Sequence, residues 1–133
     1  MEGLENIKYL KDKGIPVIWR PLHEAAGNIY EPWHGDAWFW WGYDGAEVFK
    51  KLWIYMFEFF QAKGINNLIW VWNNPRKEGY VGDDYCDIVT SDHYPPAHQH
   101  TSMKPALDNL KNVTKNNPPK QFFCLGELFY FAI

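Results

Sequence analysis

The run at residues 67–73, with the sequence NLIWVWN, constrains the fold more than any other stretch of this chain. It is apolar almost without interruption between its two asparagines. A strand with this composition needs apolar cover on both of its faces, as a parallel strand with helices packed around it receives. The run therefore predicts a buried parallel strand in an α/β fold.

Helical and strand patterns alternate along the rest of the chain. Apolar residues recur every three or four positions in the helical segments, Asp44 is placed to cap the second of them, and Gly14 and Gly64 follow the first two. This alternation predicts one domain built on a parallel sheet with right-handed crossovers. The predicted helices are 5–13, 45–63 and 103–115, and the predicted strands are 15–22, 67–73, 85–91 and 121–126.

Charge and hydropathy argue against two classes of partner. The net charge is −3 and the basic residues are scattered singly, without the basic stripe of a nucleic-acid binder. No run reaches the roughly 18 apolar residues of a membrane span. The first five residues lack the basic start and apolar stretch of a signal peptide. We expect a soluble chain that binds neither nucleic acid nor membrane.

The cysteines and histidines give little sign of a metal site. Cys86 and Cys124 each lie in an apolar run, which favours two buried free thiols over a structural disulfide. His93, His98 and His100 lie close together in a proline-rich segment, but no carboxylate spacing supports them as ligands. We therefore expect no bound metal.

Polar residues follow the predicted strands where each strand ends. Arg20, His23 and Glu24 follow the first strand, and Glu127 follows the last. Ligand sites in parallel α/β folds lie at the carboxyl ends of the strands, so the two glutamates are expected to converge there. The two middle strands end in Trp72, Asn73 and Asn74, and in Asp92, His93 and Tyr94.

The aromatic content suggests what two such glutamates act on. Aromatic residues make up 19% of the chain, and many of the tryptophans lie in the loop after the first strand. Tryptophan rings offer large, rigid faces that pack on the apolar side of a sugar ring. Glycoside hydrolysis needs one carboxylic acid to protonate the leaving oxygen and one carboxylate to attack or stabilise the sugar cation. The combination indicates a glycoside hydrolase.

Three stretches carry a more specific resemblance: VIWRPLHEAAGNIYEPWHGDAWFWWGYDGAEVFKKLWIYMF, then NNLIWVWN, then GDDYCDIVTSDHY. Together they resemble glycoside hydrolase family 26, with the Arg-Pro-x-His-Glu strand end and the Trp-Phe-Trp-Trp-Gly loop as the most specific motifs. The resemblance covers residues 5–127. It implies a partial (β/α)8 barrel of the TIM type, with about four parallel βα units that correspond to strands four to seven. The family consists mainly of endo-β-1,4-mannanases.

The resemblance also implies the catalytic pair. Glu24 matches the family's acid/base residue, and Glu127, in CLGEL, matches its nucleophile. The family retains anomeric configuration through a covalent glycosyl-enzyme intermediate. This chemistry needs neither a metal nor an organic cofactor.

Four further residues receive roles from the same resemblance. His23 is expected to contact substrate, Trp38 to stack on a sugar near the cleaved bond, and Tyr94 to reach the nucleophile with its hydroxyl. Arg20 is expected to support the site by pairing with carboxylates beneath it. Three other aromatic residues of the loop are expected to form loop core and not ligand contacts: Phe39, Trp40 and Trp41.

Length sets the remaining expectations, because 133 residues are short for a barrel that typically takes roughly 250. We expect residues 1–133 to be a single partial catalytic domain, truncated at both ends relative to the family, with open sheet edges that favour self-association. Two functions stay open: a retaining endo-β-1,4-mannanase acting on β-mannan or a related β-glycan, or an inactive half-barrel that at most binds glycans. The resemblance implies a secreted or cell-surface location for a full-length enzyme.

Overall fold

The computed structural model describes residues 2–25, 27, 37–74, 76–93, 102, 104–114 and 121–126, the last segment by its main chain. Helices and strands alternate along these residues. In chain order they are α1 (Glu2–Asp12), β1 (Val17–Trp19), α2 (Gly45–Ala62), β2 (Leu68–Trp72), β3 (Ile88–His93), α3 (Lys104–Val113) and β4 (Gln121–Gly126). Short 3₁₀ turns lie at Trp40–Gly42, Lys77–Gly79 and Asp83–Tyr85.

The four strands form one parallel sheet in the order β1-β2-β3-β4. Trp19 pairs with Trp70, Trp72 pairs with Val89, and the pairing of β3 with β4 runs to His93 opposite Gly126. Strand order therefore follows chain order, as in an arc of consecutive βα units, whereas a doubly wound sheet reverses its order part-way. The predicted parallel α/β fold is confirmed.

An aromatic layer holds α2 against the sheet. The ring centroid of Trp70 on β2 lies 5.8 Å from that of Trp53, 4.9 Å from that of Phe57 and 5.8 Å from that of Phe60. Trp53 is fully buried, and its indole N–H donates to the Tyr85 carbonyl at 2.9 Å. Buried aromatic side chains supply most of the apolar area in a layer of this kind. This packing fixes which face of β2 points away from α2.

The helix ends follow the predicted glycines but not the predicted cap. Gly14 and Gly64 follow the first two helices with φ of 69° and 70°, the left-handed conformation that ends a helix. Helix α2 begins at Gly45, yet the Asp44 side chain makes no capping hydrogen bond. Asp44 occupies the N-cap position as predicted, but the expectation that its side chain caps the helix is wrong. Its backbone, at φ −91° and ψ 10°, lacks the extended geometry from which an N-cap side chain reaches back.

The third strand begins later than predicted, because Asp87 takes over the hydrogen bonds of the neighbouring backbone. Its carboxylate accepts from the Trp70 N–H at 2.8 Å, and its own N–H donates to the Trp70 carbonyl at 2.9 Å. Cys86 lies just before this strand with its side chain buried, whereas the side chain of Cys124 lies outside the described residues. None of the described helices combines the length and apolar character that crossing a membrane requires.

Candidate active site

A hydrogen-bonded network joins the carboxyl ends of three strands. Arg20 follows β1 directly, and its Nη2 donates to both carboxylate oxygens of Asp92 on β3, at 3.0 and 2.8 Å. The same nitrogen donates to Asn73 Oδ1 at 3.0 Å, and Asn73 Nδ2 donates to Thr90 Oγ1 at 2.9 Å. Since side chains alternate along a strand, these residues share the sheet face that points away from α2.

This network is largely withdrawn from solvent. Asn73 is 1% exposed, and the side chains of Asp92 and Arg20 are 12% and 32% exposed. Hydrogen bonds between charged groups are short and strong, and partial burial strengthens them further. Arg20 thus pairs with one specific carboxylate, that of Asp92, for which the sequence had indicated no role.

The backbone after Arg20 is strained on both sides of His23. Leu22 has a φ of 48° and Glu24 a φ of 50°, in the left-handed region that non-glycine residues rarely adopt. Each such residue costs about 1–2 kcal/mol. Conformations of this kind persist only where the surroundings hold them, and they cluster at functional sites. The Glu24 N–H donates to both oxygens of Asn73, to the carbonyl at 2.9 Å and to Oδ1 at 3.2 Å.

Two aromatic residues of the following loop pack on His23. The ring centroid of His23 lies 4.7 Å from that of Phe39 and 5.7 Å from that of Trp41, and these two rings stack on each other at 4.5 Å. The indole N–H of Trp41 also donates to the His23 carbonyl at 3.0 Å. Trp40 is 65% exposed, so the prediction that it forms loop core is wrong. Successive side chains of a 3₁₀ turn diverge, and only Trp41 of the pair can pack inward.

Trp38 lies against the main chain that leaves Glu24. The backbone N–H of Trp38 donates to the Gly27 carbonyl at 3.2 Å, and a Cβ on Gly27 would lie only 2.4 Å from Trp38 Cε3. Because glycine has no Cβ, the indole can approach this closely. The side chain remains 57% exposed, and so it presents an open aromatic surface.

Two predicted site residues, Glu127 and Tyr94, lie outside the described residues. His98 and His100, which the sequence analysis rejects as metal ligands, also lie outside them. Strand β4 ends at Gly126, which pairs with His93, and Glu127 is the next residue in the sequence. The distance between the two glutamate carboxyls therefore stays a prediction. Within the described part of the chain, no three His, Cys, Asp or Glu residues are grouped so that they could hold a metal ion.

Two residues that contact the site were not predicted from sequence. The sequence predicts Asn73 only as a strand end, although a carboxamide directly after a buried apolar strand is itself a signal. Trp41 was expected to be loop core, and nothing in the sequence indicates that its indole bonds the backbone beside Glu24. Arg20, His23 and Glu24, by contrast, lie where the sequence had placed them, at the end of β1.

Comparison with known proteins gives consistent matches. The Glycosyl hydrolase family 26 model matches residues 4–130. The mannan endo-1,4-β-mannosidase of Thermothelomyces thermophilus is 44% identical over 89 residues, which are 66% of this chain and 17% of that protein. The Bacillus subtilis mannan endo-1,4-β-mannosidase is 32% identical over 107 residues, covering 68% of this chain and 26% of that protein.

Solved structures match over more of the chain. A family 26 β-(1,4)-mannanase of Podospora anserina is 36% identical, with a TM-score of 0.75, over 92% of this chain and 25% of that one. A β-mannanase from a symbiotic protist of the termite Reticulitermes speratus, solved with a gluco-manno-oligosaccharide, is 33% identical with a TM-score of 0.76. That match covers 92% of this chain and 36% of the other. The chain thus spans well under half the length of these relatives.

Proposed function

Because the chain belongs to glycosyl hydrolase family 26, we propose that it carries the catalytic centre of a retaining endo-β-1,4-mannanase. The observation that supports this best is the placement of Glu24. It lies at the carboxyl edge of a parallel sheet, and its backbone has a left-handed φ that hydrogen bonds stabilise. The exposed indole of Trp38 lies in the loop that follows Glu24. The carboxyl edge is where a (β/α)8 enzyme carries its chemistry.

The proposed reaction is a double displacement between two glutamates. In the first step the carboxylate of Glu127 attacks the anomeric carbon, the glycosidic C–O bond breaks, and neutral Glu24 gives its proton to the departing oxygen. In the second step Glu24 takes a proton from water, whose oxygen attacks the anomeric carbon and frees Glu127. Retention by this route requires carboxyl groups roughly 5–5.5 Å apart.

The remaining site residues have supporting roles in this proposal. His23 and Trp38 bind the sugar, Trp38 through its open indole face. The Tyr94 hydroxyl donates a hydrogen bond to the Glu127 carboxylate. Arg20 holds Asp92 and Asn73 in place beneath the reacting groups, through hydrogen bonds of 2.8–3.0 Å. No metal or organic cofactor takes part in either step.

The names of the relatives support a substrate class. Those compared above are called mannan endo-1,4-β-mannosidases or β-mannanases, and one was solved with a gluco-manno-oligosaccharide. We assign this chain a β-mannan or a related β-glycan. Since such polymers lie outside the cell that degrades them, we propose a secreted or cell-surface location for the full-length enzyme.

Residues 1–133 are proposed to be one partial catalytic domain that associates with another chain. Among the described strands, β1 pairs only with β2 and β4 only with β3, so both edges of the sheet are open. Ile18, on β1, is 71% exposed. Unpaired edges and exposed apolar side chains favour association. Sedimentation velocity should show species larger than a monomer, and a stable monomer with a cooperative melt would contradict this.

The function is tested with the chain in two settings: alone, and in place of the matching segment of the Podospora anserina mannanase. We expect the chain alone to release reducing sugar from β-mannan at or near background. Four strands supply only part of the shell that holds catalytic groups within about 0.5 Å. The chimera should hydrolyse mannan and give products that retain the β configuration, which proton NMR reads directly.

Two variants of the chimera separate the roles of the glutamates. Glu127→Ala should lose activity on every substrate, because no covalent intermediate can form. Glu24→Ala should lose activity on mannan but keep the first step on an aryl β-mannoside whose leaving group needs no protonation. Azide, a nucleophile that needs no general base, should then restore its turnover. Inverted products, or hydrolysis indifferent to Glu24, would refute the proposal. An inactive chimera that still binds mannan would leave only the glycan-binding alternative.

A further inference from the structure

The His23–Glu24 peptide group is bonded at both of its ends. Its C=O accepts from the indole N–H of Trp41 at 3.0 Å, and its N–H donates to the Asn73 carbonyl at 2.9 Å and to Asn73 Oδ1 at 3.2 Å. Trp41 lies 18 residues from His23 in the sequence, and Asn73 lies 49 residues from Glu24. A peptide plane held from both sides cannot rotate without breaking hydrogen bonds on one of them.

The Asn73 carboxamide is itself fixed in one orientation. Its oxygen accepts from Arg20 Nη2 at 3.0 Å as well as from the Glu24 N–H, and its nitrogen donates to Thr90 Oγ1 at 2.9 Å. Exchanging the oxygen and the nitrogen would turn a donor toward two donors. Burial to 1% exposure makes each of these bonds costly to lose.

The ring of Trp41 is fixed as well. It stacks on Phe39 with an angle of 7° between the ring planes, and it packs beside the His23 imidazole. The indole nitrogen thus stays aimed at the His23 carbonyl. Both sides of the peptide group therefore contact side chains that are already immobilised.

We propose that Asn73 and Trp41 are positioning residues for the acid/base carboxyl of Glu24, through a clamp that the Trp41 indole, the Asn73 carboxamide and the Asn73 main-chain carbonyl form on the His23–Glu24 peptide. The clamp stabilises the left-handed φ of 50° at Glu24, which an unrestrained glutamate disfavours. Because the side chain leaves the backbone in a direction set by φ and ψ, the clamp decides where the carboxyl points. The catalytic meaning of the clamp rests on the proposed function, but its existence does not.

Amide hydrogen exchange on the ¹⁵N-labelled 133-residue chain tests the clamp directly. Asn73→Ala removes the Oδ1 acceptor, and Trp41→Phe removes the indole donor while keeping a ring against Phe39. The Asn73 main-chain carbonyl still accepts from the Glu24 N–H in both variants, so each acts by making the peptide more mobile. Each should speed exchange at the Glu24 amide by roughly fivefold, the factor expected for one hydrogen bond. The Trp70 amide, bonded to Asp87 on the other sheet face, should change less than about twofold, because it shares no partner with the clamp.

Conservative and matched variants separate positioning from general destabilisation. Asn73→Asp keeps an acceptor for the Glu24 N–H and should restore its protection to near the parent value. Asn67→Ala removes the bond from Asn67 Nδ2 to the Ile15 carbonyl, at the opposite end of β2, and should leave Glu24 unchanged. Trp40→Phe, at the exposed neighbour of Trp41, should do the same.

A substrate comparison connects the clamp to catalysis. In the chimera described above, Asn73→Ala and Trp41→Phe should lower kcat on mannan at least about tenfold with little change in KM, whereas the first step on the activated aryl β-mannoside should change less than about threefold. Unchanged Glu24 exchange in both folded variants would overturn the clamp, whatever the activity. Faster exchange together with a parent that hydrolyses neither substrate would keep the clamp and remove the proposed function.

Discussion

Strand β2 presents two very different surfaces on its two faces. Toward α2 it carries Trp70 and Trp72, which are packed among other aromatic rings. Toward the opposite face its end carries Asn73, which is bonded to a charged network that reaches the backbone of Glu24. The aromatic face has great area and little directionality, whereas the polar face has few atoms in fixed directions. We infer that the first face provides stability and the second provides geometry.

The largest effect on stability is expected on the aromatic face, from Trp53→Ala. This removes a fully buried indole and leaves the Tyr85 carbonyl without its donor. Deletions of this size cost about 3–5 kcal/mol, which urea unfolding will measure. The matched control is Tyr55→Ala on the same helix, which is 68% exposed and should change stability by less than about 0.5 kcal/mol. Equal effects from the two variants would show that the aromatic layer is not the core.

A smaller loss of stability is expected on the polar face, from Asp92→Ala. The variant leaves Arg20 with only its bond to Asn73 among the partners described above, and charged hydrogen bonds of this kind contribute about 2 kcal/mol. In the chimera, the loss of kcat/KM on mannan, expressed as a free energy, should exceed the loss in the free energy of unfolding, because the network supports Glu24. Asp92→Asn, which keeps one acceptor, should lose less of both. If Asp92→Ala kept the activity of the parent, the inference that the polar face sets the geometry of the site would be wrong.

Gly27→Ala should have a still smaller effect on stability. The added methyl overlaps Trp38, whose exposed ring can turn away, so the expected cost is about 1 kcal/mol. Binding of manno-oligosaccharides, followed by tryptophan fluorescence, should weaken severalfold because the aromatic surface moves. Gly3→Ala, where a Cβ meets nothing within 4 Å, is the control and should leave binding unchanged. Unaltered binding by Gly27→Ala would remove Trp38 from the sugar site.

The smallest effect on stability is expected from Tyr80→Phe, on the aromatic side. It appears only at alkaline pH, where tyrosine ionises. Burial and the hydrogen bond to Asp83 raise the pKa of the Tyr80 hydroxyl above the ordinary 10.0. The unfolded chain therefore loses this proton at a lower pH than the folded one, and this contribution to stability falls as pH rises above 10. Urea midpoints at pH 8 and pH 11 should differ less in Tyr80→Phe than in the parent. If tyrosinate absorbance showed that Tyr80 ionises with the ordinary pKa of 10.0, this prediction would be contradicted.

The two faces also differ in how far the sequence predicts them. The sequence predicts a strand over residues 121–126, which are the observed bounds of β4, and the aromatic residues that pack on Trp70 lie in the segment predicted as the second helix. Such patterns depend on local spacing, which a sequence displays directly. The parallel fold therefore followed from the sequence with little error.

The geometry at Glu24 could not be predicted in the same way. Neither Leu22 nor Glu24 is a glycine, so no local signal marks their left-handed backbone. The Glu24 conformation depends on Asn73, 49 residues further along the chain. The cap predicted at Asp44 failed for the reverse reason, since the residue type fits but the backbone does not. Sequence patterns indicated which residues reach the site, while long-range bonds set how they are held.

The alternation along β2 also has a consequence for the quality of a refolded preparation. Shifting its pairing by one residue would turn the Asn73 carboxamide into the aromatic layer and direct Trp72 toward the site, since side chains alternate with a period of two. Such a molecule would lose its core and its reacting geometry in the same event. We therefore expect every molecule that unfolds thermally like the native chain to have an ordered site as well. Any measure of folding, such as near-ultraviolet circular dichroism, should then report the fraction of molecules competent at the site.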